Sequence, residues 1–322
     1  FTADQVSTTV RLTRIVLPAQ FAFVVGAMFA SVQYAKGVFT IPTLAPIIYN
    51  IGIIAGGVTF AWVTGTPDPE GFVWGAVAGA FIGNFAIQWW GARRIGMHFD
   101  LTDGWLPPAV KQYVALAIPL MIGQSVVALD ETFMSVFGDL VGDGTQTHLQ
   151  YARRTMLVPV GIVAQGAAVA AYPFLSRLFA EGKIRVMHDT VDKAMRWVLV
   201  LSIAATGLLA ALALPVTRAL YERFAFTVSD SSATAAALFF YALAIPIWGA
   251  LQILTRAFYA RRSMWTPVIV GTVTTVVAIP LYFMLTDAFG IRGVAVASVL
   301  SLLLYTGALA LVWYQGKDGR AR

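Results

Sequence analysis

The 322-residue sequence is 58% hydrophobic and only 12% charged, whereas a typical soluble domain is about 25% charged. So few charges cannot cover a water-exposed surface, so the composition excludes an ordinary soluble protein and predicts an all-α membrane protein. The absence of cysteine excludes disulfides and thiolate metal sites. The net charge is +6, and the basic residues lie between the apolar segments. We therefore expect membrane lipids, and not nucleic acid, as partners.

Nine apolar segments, each long enough to cross a bilayer as a helix, follow one another along the chain. They cover residues 12–33, 43–64, 71–91, 112–138, 150–175, 194–217, 233–258, 267–286 and 291–314. Tryptophans near their ends are expected to form the aromatic belt at the membrane interfaces, namely Trp89, Trp90, Trp197, Trp265 and Trp313. The chain starts at Phe1 without a methionine or a signal peptide, so we expect a fragment that begins within a longer protein.

Basic and acidic residues alternate from loop to loop. One set of loops is basic and includes Lys36, Arg93, Arg94, Arg177, Lys183, Arg261 and Arg262. The other set is mainly acidic and includes Asp68, Glu70, Asp139, Asp143, Glu222 and Asp287. Because cytoplasmic loops are enriched in lysine and arginine, the N-terminus is predicted to lie outside and the C-terminus inside.

Two distant stretches share one pattern. QYAKGVFTIP ends at Pro42 and FYARRSMWTP ends at Pro267, and in both a basic turn leads into the next span. Tyr34 and Tyr259, like the two prolines, are 225 residues apart. The pattern predicts parallel repeats, which transporters use to build two similar helical bundles.

Ionisable residues within spans are costly in lipid and are candidates for function. Asp130 and Glu131 lie mid-span, and because adjacent helical residues point about 100° apart, we expect them not to face the same partner. At least one is expected to line a hydrated cavity or to pair with an arginine. A purely structural ion pair within the bundle is the alternative.

Arginines near span ends form a candidate anion site. Of Arg153 and Arg154, one is expected to extend to the outer interface and the other to face the interior and bind phosphate. The alternative is that both extend to the interface. Arg14 is expected to face the cavity, and Arg256 either extends to the interface or lines the inner mouth.

Three motifs, in order along the chain, resemble the MurJ/MviN family. They are IPTLAPIIYNIGII (41–54), LQYARRTMLVPVGIVAQGAAVAAYPFLSRLFAEG (149–182) and LTRAFYARRSMWTPV (254–268). The resemblance implies the fold of the multidrug/oligosaccharidyl-lipid/polysaccharide exporter superfamily, with two helical lobes around a cationic cavity. This chain would supply roughly the family's fourth to twelfth spans. Residues 1–104 would be a partial N-terminal lobe of three helices, and residues 105–322 a C-terminal lobe of six.

The resemblance also implies a function without covalent catalysis. It implies a flippase that moves lipid II, the undecaprenyl-diphosphate-linked peptidoglycan precursor, across the bacterial cytoplasmic membrane, with cell-wall synthesis proteins as further partners. The residues assigned to substrate binding are Arg154, Arg153, Arg14, Asn50 and Arg256. The alternatives are an exporter of another lipid-linked glycan, a drug/cation antiporter, and a non-transporting scaffold or degraded copy.

The sequence departs from the family around Asp130, which falls where many members carry an aspartate that in some is linked to a sodium site. Arg153 replaces a family aspartate, and Tyr282 stands where the family has another acidic partner. Ion coupling is assigned to Asp130, Glu131 and Ser298. We expect no bound cofactor, and Na⁺ and the membrane potential both stay open as the driving force.

Overall fold

The computed structural model describes residues 3–66, 68–98, 108–142 and 144–318, and all regular elements in these ranges are helical. The helices are α1 (Ala3–Val16), α2 (Ala19–Ala35), α3 (Thr40–Thr64), α4 (Pro69–Gly79), α5 (Gln88–Arg94), α6 (Pro108–Val141), α7 (Thr145–Val160), α8 (Gly166–Ala180), α9 (Ile184–Ala211), α10 (Ala213–Tyr221), α11 (Val228–Ala242), α12 (Ile245–Ala260), α13 (Trp265–Phe289) and α14 (Ile291–Asp318). Wider π-helical turns, Ala80–Ile87 and Gly161–Gln165, join α4 to α5 and α7 to α8. The all-α prediction is confirmed.

The apolar helices account for the predicted spans. Within the described residues, seven helical runs are long and apolar enough to cross a membrane. They are Val6–Ala35, Thr40–Thr64, Pro69–Arg94, Thr145–Ala180, Ile184–Ala211, Trp265–Phe289 and Ile291–Gln315. The pair α11 and α12, bent by 46°, makes an eighth if it forms one span. The remaining predicted span, 112–138, falls within the 34-residue helix α6. The protein is therefore a multi-pass membrane protein.

The helices form two compact units, Phe1–Trp105 and Leu106–Arg322. The first unit contains α1–α5 and has a small buried cluster around Ala19, Ala22 and Ala80. The second contains α6–α14 and has a much larger core that includes Tyr241, Tyr282 and other fully buried side chains. Each unit buries the faces that its helices turn toward one another and leaves large apolar side chains on the outside, as lipid requires.

The predicted repeat recurs in the helix boundaries. The end of α2 and of α12 (Ala35, Ala260), the start of α3 and of α13 (Thr40, Trp265), and their last residues (Thr64, Phe289) are each 225 residues apart. The turn residues Gly37 and Arg262, at the same offset, both have positive φ, 73° and 58°. The two copies therefore share backbone conformation as well as sequence pattern.

Glycines allow α3 and α4 to touch through their backbones in the first unit. A Cβ atom built on Gly56 would lie 2.5 Å from the Cα of Gly75 and 2.5 Å from the carbonyl oxygen of Gly71. One built on Gly52 would lie 2.7 Å from the Cα of Gly79. Backbone atoms cannot rotate aside, so only glycine permits this approach, which small residues favour between helices in lipid.

Trp313 corrects one prediction made from the sequence. Its side chain is 0% exposed and packs against His188, with ring centroids 4.6 Å apart, and against Phe258 at 5.3 Å. The guanidinium of Arg261 lies 5.2 Å from its ring centroid. Trp313 therefore belongs to the core of the second unit and not to the aromatic belt, because His188 of α9 and Phe258 of α12 pack against its ring.

A charged turn between α8 and α9 gives a first testable prediction. Glu181 accepts hydrogen bonds from Lys183 and Arg177, both at 2.8 Å, which lower the pKa of its carboxyl to about 2. Since the unfolded pKa is about 4.3, the turn adds stability above that pH and loses it as the pH falls toward 2. We expect Glu181→Gln to remove this pH dependence at little cost near neutrality, because the turn is solvent-exposed. Melting temperatures measured against pH would contradict this if both proteins changed equally.

Candidate functional site

Four helices of the second unit meet at the carboxylate of Asp130. Arg153 of α7 donates from Nη1 to Oδ2 at 2.6 Å, and the Tyr282 hydroxyl of α13 donates to Oδ1 at 2.7 Å. Ser298 of α14 donates from Oγ to both oxygens, at 3.1 and 3.3 Å. Asp130 itself lies on α6. Both carboxylate oxygens are therefore bonded, and we name these four residues the Asp130 centre.

Helical periodicity places the members of the Asp130 centre. On α6, Asp130 is followed at i+3 and i+7 by Phe133 and Phe137, so all three share one face. The ring of Tyr282 stacks on Phe137 at a centroid distance of 5.2 Å and meets Phe133 edge-on at 5.6 Å. These aromatic contacts fix the direction of the Tyr282 hydroxyl before it bonds the carboxylate.

Arg153 faces the interior and is 6% exposed, with Leu149, Ala152 and Met156 on the same buried face of α7. Its Nη2 atom also lies 3.7 Å from a carboxylate oxygen of Glu131, whose side chain is 63% exposed. The expectation that Asp130 and Glu131 cannot face the same partner is wrong. The two terminal nitrogens of the guanidinium, Nη1 and Nη2, each lie near a different carboxylate, although the two carboxylates point in different directions.

A cavity of about 50 Å³ adjoins the Asp130 centre. It is lined by Asp130, Arg153, Met156, Tyr241, Ala244, Trp248, Leu251, Thr275, Ser298, Ser301, Leu302 and Tyr305. The Nε atom of Arg153 and the hydroxyl of Tyr241 are buried and have no hydrogen-bond partner among the described residues. The wall of the cavity therefore combines apolar side chains with one ion pair and five hydroxyl-bearing side chains.

The other predicted residues lie apart from this centre. Arg154 is exposed on α7, and Arg256 is half-buried on α12. In the first unit, Arg14 is exposed in the last turn of α1, and the Asn50 side chain donates to the Pro46 carbonyl of its own helix at 2.9 Å. The structure thus brings together Asp130, Glu131, Arg153 and Ser298, which the sequence analysis assigned to ion coupling and substrate binding. Their functional roles stay predictions.

Sequence reasoning missed two tyrosines of this region. It treated Tyr282 as a lost ligand, whereas Tyr282 bonds Asp130 directly, and it did not single out Tyr241, which is 1% exposed. The signal was present in the stretches FFYALAIP and IPLYFML, which each place one hydroxyl in an apolar span. A hydroxyl in lipid needs a partner inside the protein, so such tyrosines are expected to face polar groups.

Comparison with known proteins identifies the family. Residues 1–319 match the family described as lipid II flippase MurJ. A probable lipid II flippase MurJ of Rhizobium tropici is 26% identical over 319 residues, which are 97% of this chain and 59% of that protein. A probable lipid II flippase MurJ of Rhizobium meliloti is 24% identical and is likewise covered over 59% of its length. The chain therefore spans about three fifths of these curated relatives.

Solved structures give the fold. A lipid II flippase MurJ in an inward closed conformation superposes with a TM-score of 0.77 at 23% identity, over 94% of this chain and 62% of that one. A Vibrio cholerae MATE transporter superposes with a TM-score of 0.76 at 12% identity, over 99% and 72%. Both likenesses confirm the exporter-superfamily fold. With the match over residues 1–319, the chain belongs to the MurJ family of lipid II flippases.

Proposed function

We propose that the protein containing this chain is a flippase for lipid II, the undecaprenyl-diphosphate-linked precursor of peptidoglycan. The match of residues 1–319 to the MurJ family supports this function most directly. A flippase moves its substrate without making or breaking covalent bonds, so the protein needs binding groups and not catalytic ones.

Exposed arginines on spanning helices supply charge for a diphosphate. Arg154 lies inside the apolar run Thr145–Ala180, about 14 Å from its first residue at 1.5 Å per residue. Arg14 lies inside Val6–Ala35. Neither forms an ion pair with a residue that the structure describes, in contrast to Arg153. A cation within a span is costly unless an anion or water meets it, and guanidinium suits phosphate oxygens well.

Two further residues complete the proposed substrate contacts. Arg256 lies on α12, five residues before the basic turn that begins at Arg261, and adds a cation toward that end of the span. The Asn50 amide group donates to its own helix, which leaves its carbonyl oxygen to accept from hydroxyl or amide groups of the substrate. Both assignments rest on the proposed lipid II substrate.

We also propose the orientation and location given by the loop charges. The basic loops would face the cytoplasm, with the start of this chain outside and its end inside the bacterial cytoplasmic membrane. Proteins of cell-wall synthesis would then act on the same lipid at both faces of that membrane.

Complementation tests the function and the role of Arg154 together. The full-length protein is produced in cells depleted of their own lipid II flippase, and growth and outer-leaflet lipid II are measured. We expect wild type to rescue, and Arg154→Ala to lose at least about 90% of the transported lipid II, in line with a lost charge-assisted contact of about 1.5–3 kcal/mol.

Arg177→Ala is the matched control, because Arg177 is an exposed arginine in the last turn of α8, at the end of its span, where it pairs with Glu181. It is expected to rescue as well as wild type. If a well-expressed wild type fails to rescue, lipid II is not the substrate, and another lipid-linked glycan becomes the better candidate. If Arg154→Ala rescues fully, Arg154 does not bind the diphosphate.

A further inference from the structure

Both oxygens of the Asp130 carboxylate accept hydrogen bonds from the protein. Arg153 and Tyr282 each donate one, and the single hydroxyl proton of Ser298 is shared between the two oxygens. The guanidinium of Arg153 lies 2.6 Å from this carboxylate and 3.7 Å from that of Glu131. A mobile cation beside Asp130 would therefore meet oxygens that are already hydrogen-bonded and a positive charge that repels it.

Sodium, which the family resemblance links to this position, does not fit these residues. A hard cation needs several oxygen ligands, with carboxylates the most effective among them. Here Arg153 provides none, and Tyr282 and Ser298 direct their protons toward Asp130. Among the described residues, no group of three or more His, Cys, Asp or Glu side chains is placed to hold a metal ion.

We propose that the guanidinium of Arg153 is a tethered cation, which permanently occupies the place beside Asp130 that a mobile cation would otherwise take. The Asp130–Arg153 pair then balances its own charge without a bound ion. Binding and release of Na⁺ at Asp130 cannot drive this protein, so any coupling ion acts elsewhere. This pairing does not depend on the substrate that the protein carries.

Burial explains why the tether holds. The Arg153 side chain is 7% exposed and is anchored on α7 by neighbours that are almost fully buried. A flexible arginine at the surface would exchange its carboxylate for water and open the position to other cations. If the guanidinium moved out to water, it would leave Asp130, whose side chain is 26% exposed, without its counter-charge.

Thermal unfolding in two salts tests the proposal on the purified full-length protein. The melting temperature is measured in NaCl and in choline chloride at equal ionic strength, for wild type, Asp130→Asn and Arg153→Ala. Wild type is expected to melt at the same temperature in both salts. Arg153→Ala is expected to melt lower in choline chloride and to recover by about 2–4 °C in NaCl, because Na⁺ then binds the exposed carboxylate.

Asp139→Asn is the control for an exposed carboxylate elsewhere on α6, and it is expected to show no difference between the salts. The proposal is overturned if wild type is stabilised by Na⁺ and Asp130→Asn loses that effect, a result that needs no destabilised variant to fold. It is also overturned if folded Arg153→Ala melts identically in the two salts. Neither result bears on lipid II transport, so the proposed function is judged separately.

Discussion

Replacing Arg153 with methionine is expected to lower the free energy of unfolding by about 3 kcal/mol, because it leaves a partly buried carboxylate without its counter-charge. Methionine keeps much of the apolar stem, so the packing of α7 against its neighbours changes little. Asp130 retains hydrogen bonds from Tyr282 and Ser298, which do not neutralise it. The effect is larger than for the pair of Arg177 and Glu181, because the Arg153 side chain is 7% exposed and that of Arg177 is 78% exposed.

A double-mutant cycle separates the lost charge pair from the lost contacts. Arg153→Met, Asp130→Asn and the double variant are compared with wild type by thermal unfolding of the full-length protein. Each single variant is expected to melt on the order of 10 °C lower. The double variant is expected to be less destabilised than either single variant, because neither charge is left alone. Additive losses would show that the two side chains act independently.

Replacing Gly56 with leucine is expected to cost about 3 kcal/mol, near the upper end for overpacking, because the new side chain meets backbone on the facing helix. The atoms closest to its Cβ would be the Cα of Gly75 and the carbonyl oxygen of Gly71, at 2.5 Å. Neither can rotate away, so α3 and α4 must separate. The loss concerns the first unit, where few other buried residues are available to hold the helices.

Gly207→Leu is the matched control for this prediction. Gly207 lies in α9, four residues before its end, and among the described residues no atom outside its own stretch of helix lies within 4 Å of a Cβ built there. We expect its melting temperature and membrane yield to equal those of wild type or to rise slightly, since glycine is a poor helix former. If both leucine variants were destabilised alike, helix separation would not be the cause.

The spans and the repeat can both be predicted from the sequence, because each produces a pattern that extends over many residues. A bilayer requires about 20 apolar residues per helix, so hydropathy alone locates most spans. The repeat could be found from Tyr34, Pro42 and their counterparts, since a tight turn between two long helices tolerates few residue types. Changes of helix type inside spans, such as the π-helical turn Gly161–Gln165, could not be predicted from the sequence. They depend on how each helix packs against its neighbours.

The Asp130 centre could be predicted only in part. A mid-span carboxylate and two nearby arginines indicate that one ion pair forms, because an isolated charge in lipid is costly. Arg153 and Arg154 point about 100° apart on their helix, and only the packing of that helix decides which of the two forms the ion pair. The role of Tyr282 needed the structure, since its hydroxyl is brought to Asp130 by contacts between residues 152 positions apart.

Helix ends that coincide at one fixed offset, while the residues between them differ, show that one helix–turn–helix unit occurs twice within this chain. The two copies make the same turn with different residues. Gly37 adopts its positive φ of 73° freely, whereas Arg262 holds a φ of 58° that a side chain resists by about 1–2 kcal/mol. One copy therefore carries backbone strain that the other lacks. A glycine at position 262, as at Gly37, would relieve that strain.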